Sequence, residues 1–260
     1  MIKRLLSAVR GKREKRHVAN FDLSPYFLEQ ENLFGRAGLD FKRALAVTAE
    51  FFATQTRTDS SMHYEVVAAL VVQKSIRKIL EIGTQTGRFT RFIAELSGDL
   101  SITTVDLPDL DERFDLATNR TSGKSGFHER VSTSRDVRQK NLEGLKNITF
   151  LEMNSVELTN HVETYDLVFV DGDHTYPTVV IDAMNAIRMV GATGWILFDD
   201  LRPRGGAISD FGGAETTILL DELESSGILE VFRFHKRLEA RRLWDAQNAK
   251  MIALARRKSL

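Results

Sequence analysis

The chain has 260 residues, 36 Lys/Arg balanced by 36 Asp/Glu, and 42% apolar residues including 16 Phe, which is core material enough to exclude disorder as its main state. The longest purely apolar run, Val66–Val72, falls far short of the ~20 residues of a bilayer span. The absence of cysteine excludes disulfides, thiolate zinc and cysteine nucleophiles, and suits a cytoplasmic location. The zero net charge is a sum of unlike parts: residues 1–20 carry net +6, residues 231–260 net +7, and the middle therefore −13.

Residues 1–20 read as a solvated basic arm. The start Met1-Ile2-Lys3-Arg4-Leu5-Leu6 runs into Gly11-Lys12-Arg13-Glu14-Lys15-Arg16, where a signal peptide would need an apolar stretch. Residues 21–62 read as a helical cap: Ser24-Pro25 opens one helix, and Phe41, Leu45, Phe51 and Phe52 supply the apolar contacts of another. From residue 63 an alternation begins. A helix over 63–73 precedes a strand over 78–82. A helix over 90–96 precedes a strand over 102–105. Residues 117–132 read as a polar loop, and a helix over 135–145 leads to a strand over 148–151. A strand over 166–170, a helix over 177–190, a strand over 195–198, a helix over 215–223 and a strand over 229–234 follow. Met251–Ala255 reads as a closing antiparallel strand paired with 229–234 through the connection 236–249. Nearly continuous apolar strands between helices predict an α/β fold: a Rossmann-like, doubly wound, mostly parallel seven-stranded sheet with an antiparallel last strand, plus the N-terminal helical cap.

Glu81, Asp106, Asn154, Asp171, Asp199 and Asp200 all fall at or just past the C-terminal ends of these strands. Ligands of open α/β sheets bind there. Gly83-Thr84-Gln85-Thr86-Gly87 joins the first strand to the next helix, where small residues permit a tight turn and close approach to a ligand. It lacks the G-x-G-x-x-G dinucleotide spacing, and Gly123-Lys124-Ser125 lacks the preceding glycine and strand of a phosphate loop.

Glu81-Ile82-Gly83-Thr84-Gln85-Thr86-Gly87 resembles the first motif of class I S-adenosylmethionine-dependent methyltransferases, and the resemblance extends over 63–260. It implies that Glu81, Gly83, Thr84, Gln85, Thr86 and Gly87 cradle the cofactor, that Asp106 holds the ribose hydroxyls, and that Asn154 and Ser155 meet the adenine. Gln85 stands where the generic pattern has glycine, a departure shared by small-molecule O-methyltransferases. Val170-Asp171-Gly172-Asp173-His174 followed by Phe198-Asp199-Asp200 resembles the metal-dependent branches, catechol-like and macrolide-sugar. That likeness implies a Mg²⁺ ion on Asp171, Asp199 and Asp200, with Asp171 also serving the reaction and His174 as base. The chemistry is coherent: a hard cation relieves crowded carboxylates, and an imidazole titrates near working pH.

The expected activity is therefore S-adenosylmethionine-dependent, Mg²⁺-assisted O-methylation of a small polyhydroxylated molecule, a sugar, glycoside or similar. The alternatives are an RNA methyltransferase using the basic termini, disfavoured by the acidic strand ends, and a non-catalytic partner subunit of the same fold. Asp173 reads as a solvated loop acid, and His63 as structural or surface. Homo-oligomerisation is left open.

Overall fold

The computed structural model describes residues 21–57, 59–108, 127–202, 214–243 and 249–258, and for 127–134 only the backbone. The basic arm and residues 117–126 of the expected loop lie outside the described residues. Two helices form the cap, α1 (Ser24–Arg36) and α2 (Phe41–Phe52). Pro25 sits in the first turn of α1, where its missing N–H costs nothing, and the Asp40 side chain caps α2 by accepting from the Arg43 N–H at 3.0 Å. Helix α3 (His63–Lys74) is buried through its middle from Val66 to Val71, which explains an apolar run with no amphipathic period.

The strands are β1 (Lys78–Ile82), β2 (Ser101–Asp106), β3 (Ile148–Glu152), β4 (Tyr165–Val170), β5 (Val190–Leu201), β6 (Leu229–His235) and β7 (Met251–Arg257). The helices between them are α4 (Arg88–Leu96), α5 (Phe127–Leu142), α6 (Thr178–Met189), α7 (Ala214–Ser225) and the single turn α8 (Ala240–Leu243). They form one sheet in the order β3-β2-β1-β4-β5-β7-β6, parallel from β3 to β5, with β7 antiparallel to both β5 and β6. This is the expected doubly wound sheet. Two segments differ from expectation. Residues 127–132 are helical, because α5 starts eight residues early on polar sequence without an apolar stripe to announce it. Strand β5 begins directly after α6 and runs past the acidic pair, far beyond its apolar centre at 195–198.

Side chains alternate between two cores. On β4, Leu167 and Phe169 join the cluster containing α3, α4 and the cap, whereas Val168 and Val170 join the one under α6 and α7. Cap residues Phe34 and Phe41 belong to the first cluster, with Phe34 ring centroids 4.8 Å from Phe41 and 4.9 Å from Phe234. Gln30 clamps the edge strand: its side chain accepts from the His235 N–H at 3.0 Å and donates to the His235 carbonyl at 3.3 Å. The chain reverses its winding between β1 and β4, so the crevice beyond their C-terminal ends is where a ligand fits. Among the described residues no helix is long and apolar enough to cross a membrane.

Because the cap shares its core with the sheet, the molecule should unfold as one unit. Phe34→Ala should lower stability by about 3–5 kcal/mol in a single calorimetric transition. A separate early transition confined to the cap would contradict this.

Candidate active site

The turn after β1 is built around a close approach. Gly83 has φ +105°, and a Cβ there would stand 2.3 Å from the Asp171 carbonyl oxygen, so only glycine lets the β1 and β4 loops meet. Gln85 adopts a left-handed φ of 47°, and its N–H donates to Asp106 Oδ2 at 2.6 Å. Gly87, at φ +68°, opens α4. Asn141 on α5 donates to the Thr86 carbonyl at 2.7 Å and holds the turn from behind.

Glu81 is buried beneath this turn. Its Oε2 accepts from the hydroxyls of Thr90 and Thr104, both at 2.6 Å, and the Thr84 and Thr104 hydroxyls are 2.6 Å apart. The chain ties β1, β2, the turn and α4 together. Burial pushes the Glu81 carboxyl up to about 7, with the two hydroxyls opposing and the Asp106 charge adding. Above the turn lies a cavity of about 260 Å³, lined by Asp59, His63, Tyr64, Arg88, Phe89 and Asp171 together with Glu81 and 83–86. Asp106 stands beside it at the end of β2, one oxygen on Gln85 and the other accepting from the Leu107 N–H at 2.9 Å. Asn154 and Ser155 follow β3. The Asn154 side chain is spent as the N-cap of a 3₁₀ turn (Ser155–Asn160), accepting from the Val156 N–H at 3.1 Å, while the Ser155 carbonyl takes a bond from Asn185 at 3.2 Å.

The acidic group sits on the other side of Gly83. Asp171 ends β4, and His174 follows three residues later with Nε2 at 3.6 Å from Asp171 Oδ1. Asp199 and Asp200 lie in β5 at a bulge opposite β7, where Phe198 pairs with Ala253 but Leu201 pairs with Met251. Asp200 is left-handed, φ 57°. The extra residue breaks the strand alternation that would send neighbouring carboxylates to opposite faces. Both instead meet one ammonium: Lys236 Nζ donates to Asp199 Oδ2 at 2.5 Å and to Asp200 Oδ1. Lys250 pairs with the second oxygen of Asp200.

These contacts set the charges. Burial works against ionising Asp199, but Lys236 beside it wins and holds it well below the usual carboxylate range. Burial and the like charge of Asp199 also oppose ionisation of Asp200, and the two lysines lower it nonetheless. Burial, reinforced by Asp199, pushes Asp171 well above its ordinary value. Burial would lower His174, but its contact with Asp171 raises it.

The structure thus brings Glu81, Gly83, Thr84, Gln85, Thr86 and Asp171 to one cavity, with Asp106 bonded to its turn. Of the three carboxylates expected to share a metal, it keeps Asp171 and Asp199 together and turns Asp200 to lysines. One donor atom each from Asp171, His174 and Asp199 lie within 4.8 Å of one another, whereas Asp200 faces two lysines. Lys236 and Lys250 carried no sequence signal, being distant in the chain from the acids they neutralise. His63 lines the cavity with both ring nitrogens unpartnered, and burial pushes it down to about 4. A lone histidine at a helix start gave no hint of that.

Residues 80–201 match the family model described as "Methyltransferase domain", the segment that carries the turn, Asp106 and all the acids. No curated protein matches the sequence. Among solved structures, the chain is similar to cofactor-bound Rv0187 from MTB (20% identity, TM-score 0.56, covering 84% of this chain and 88% of that one). It is also similar to the O-methyltransferase from Bacillus cereus in complex with SAH (14%, 0.54, 91% and 100%) and to the O-methyltransferase TomG from Streptomyces achromogenes in complex with SAM (13%, 0.52, 84% and 89%). At these identities the likeness establishes the fold, and the matched segment, residues 80–201, is similar to a methyltransferase domain.

The Glu81 carboxyl makes stability depend on pH. Its folded value near 7 lies above its unfolded 4.5, so the folded state keeps a proton the unfolded state releases. Stability should be greatest below about pH 4.5 as far as this group goes, and fall by about 3 kcal/mol as pH rises through 7. Glu81→Gln should flatten that fall in thermal melts of the unliganded protein. An unchanged pH slope would refute the assignment.

Proposed function

We propose that this methyltransferase moves the methyl group of S-adenosylmethionine to a hydroxyl of a small polyhydroxylated molecule, such as a sugar or glycoside. The observation that carries the reading is one cavity with two chemistries. The β1–α4 turn, braced by Asp106 from beside it, forms one wall, and Asp171, backed by His174, forms the other. The residues fit the cofactor: close backbone approach at Gly83, a carboxylate at the end of β2 for hydroxyls, and a cavity adjoining both. When bound, S-adenosylmethionine supplies a sulfonium methyl as electrophile.

The chain's own residues do the rest. The bond from the Gln85 N–H to Asp106 fixes the turn that would hold the donor. Asp171 and His174 receive the acceptor hydroxyl. His174 takes its proton, and a bound donor would give its methyl group to that oxygen and leave as the neutral thioether. Asp171, 3.6 Å away, stabilises the imidazolium that results. Orientation of acceptor and methyl donor supplies much of the acceleration. A polyhydroxylated acceptor is supported by the character of this mouth, which offers carboxylate and imidazole groups as hydrogen-bond partners.

The Mg²⁺ site implied by the resemblance does not fit as a three-carboxylate set. Lysines engage both oxygens of Asp200, and Lys236 engages one oxygen of Asp199. Only Asp171, His174 and the unpartnered Asp199 Oδ1 remain, with a buried ammonium already beside Asp199. Lys236 supplies the positive charge beside these acids.

Calorimetry should show one S-adenosylmethionine bound per chain, and absence of binding would end this reading. His174→Ala should cut turnover about 10²–10³-fold while leaving cofactor affinity unchanged, and full turnover would remove His174 as the base. Lys236→Met should lose about 3–5 kcal/mol of stability and should gain saturable Mn²⁺ binding, read by electron paramagnetic resonance, that the wild type lacks. Tight Mn²⁺ binding by the wild type would restore the metal.

A further inference from the structure

A second cavity, of about 340 Å³, opens beside the first and is lined by Arg202, Arg237, Arg242, Leu243, Ala249 and Lys250. Its polar wall is cationic. Two ion pairs divide it from the reaction site. Arg237 donates to Asp59 at 3.0 Å, and Asp59 lines the methyl-donor cavity. Lys250 pairs with Asp200, next to Asp199 in the bulge of β5. Among the described residues that line it, three guanidinium groups and one ammonium stand with no acid, and Asp59 and Asp200 pair with two of them from the partition.

Arg202 is held for use. Its backbone N–H donates to the Thr217 hydroxyl at 3.0 Å, and that hydroxyl donates back to the Arg202 carbonyl at 2.7 Å, which fixes the residue against α7. Its Nε is buried and has no hydrogen-bond partner among the described residues. A buried guanidinium N–H without an acceptor costs free energy unless something arrives to take it. Guanidinium groups offer paired donors in a plane, the geometry that suits a phosphate or sulfate rather than a hydroxyl. A cationic lining of this kind suits a phosphate monoester, whose charge near neutral pH is about −1.5 to −2.

We propose that the methyl acceptor carries a phosphate-type dianionic group, and that Arg202, Arg242 and Lys250 hold this group while a hydroxyl elsewhere on the same molecule reaches Asp171 and His174. The assignment deepens the function proposed above and rests on it for the word acceptor. The anion site itself stands on the cavity alone. Arg237 is a positioning residue here, because its guanidinium is bonded to Asp59 and forms the partition between methyl donor and anion.

The probe is inorganic phosphate, titrated into the full chain by calorimetry. Saturable binding of one phosphate per chain is expected, with sulfate comparable and acetate much weaker. Arg202→Gln and Arg242→Gln should each weaken phosphate binding by roughly tenfold or more and leave S-adenosylmethionine affinity unchanged. Should either variant fail to fold, the wild type decides. Phenylglyoxal modification mapped by peptide mass spectrometry should show phosphate protecting Arg202 and Arg242 but not Arg91, which pairs with Glu95 along α4 and lines neither cavity. Absence of saturation, unchanged affinity in both variants, or absence of protection would each overturn the site. Loss of S-adenosylmethionine affinity with phosphate binding retained would assign the pocket to the methyl donor and overturn it as well. Displacement of phosphate by vesicles of phosphatidic acid would place the anion on a membrane lipid and refute a small soluble acceptor. Phosphate binding without any S-adenosylmethionine binding would instead sink the functional reading and leave the anion site standing.

Discussion

Asp199 and Asp200 share one buried ammonium, and the geometry of the reaction edge follows from it. Two carboxylates this deeply placed would repel each other and lose their hydration without a counter-charge. Lys236 supplies that charge at 2.5 Å from Asp199 and in contact with Asp200. The bulge in β5 is what lets one nitrogen serve both, since a regular strand would have turned the second acid away. The same residue joins distant parts of the molecule. Its carbonyl accepts from the Met62 N–H at 2.8 Å, at the entry to α3, and its own N–H donates to the Lys250 carbonyl at 3.0 Å. The cap, the edge hairpin and the acid cluster therefore meet at one side chain and its peptide groups.

The cofactor side is organised by an analogous buried acid with the opposite solution. Glu81 has no cation. Burial pushes its carboxyl up to about 7, so it shares a proton with solvent near neutral pH, and two threonine hydroxyls satisfy it. Asp106 is the carboxylate that bonds to the backbone of the turn. The contact of Gly83 with the Asp171 carbonyl then locks the turn to the end of β4. Donor cradle and reaction edge cannot shift independently, which is the orientation a transfer between two bound molecules requires.

Much of this was legible in the sequence, for a physical reason. A sheet buried on both faces writes its strands as apolar runs, and a strand that ends at a ligand site ends in a polar residue. Glu81, Asp106, Asp171 and Asp199 were found that way, as were Gly83 and its turn. What stayed hidden depended on backbone irregularity or on partners far along the chain. The left-handed Asp200 turns an expected metal ligand into a partner of two lysines, and no local pattern announces a one-residue bulge. Lys236 and Lys250 read as members of a basic terminus. Asn154 has the right place for adenine, yet its side chain caps a 3₁₀ turn, a use that the downstream Glu157 of the capping box could have suggested. Helix α5 starts in sequence with no apolar period, so its first residues passed for loop.

The basic residues of the C-terminal segment find their acids through the last hairpin. Arg233 pairs with Asp221 and Glu224, Arg256 with Glu230, and Lys236 and Lys250 with the acids of β5. The acids lie within the segment 80–201, and their cations arrive 37 and 50 positions after them. A nascent chain released from the ribosome only as far as β5 would thus hold its acidic edge without neutralisation, so the edge cannot close until the hairpin is made. Synthesis of the final strands acts as a timer on the assembly of the pocket: a protein cut short before residue 236 would keep every acid of the site and none of the charge that makes it habitable.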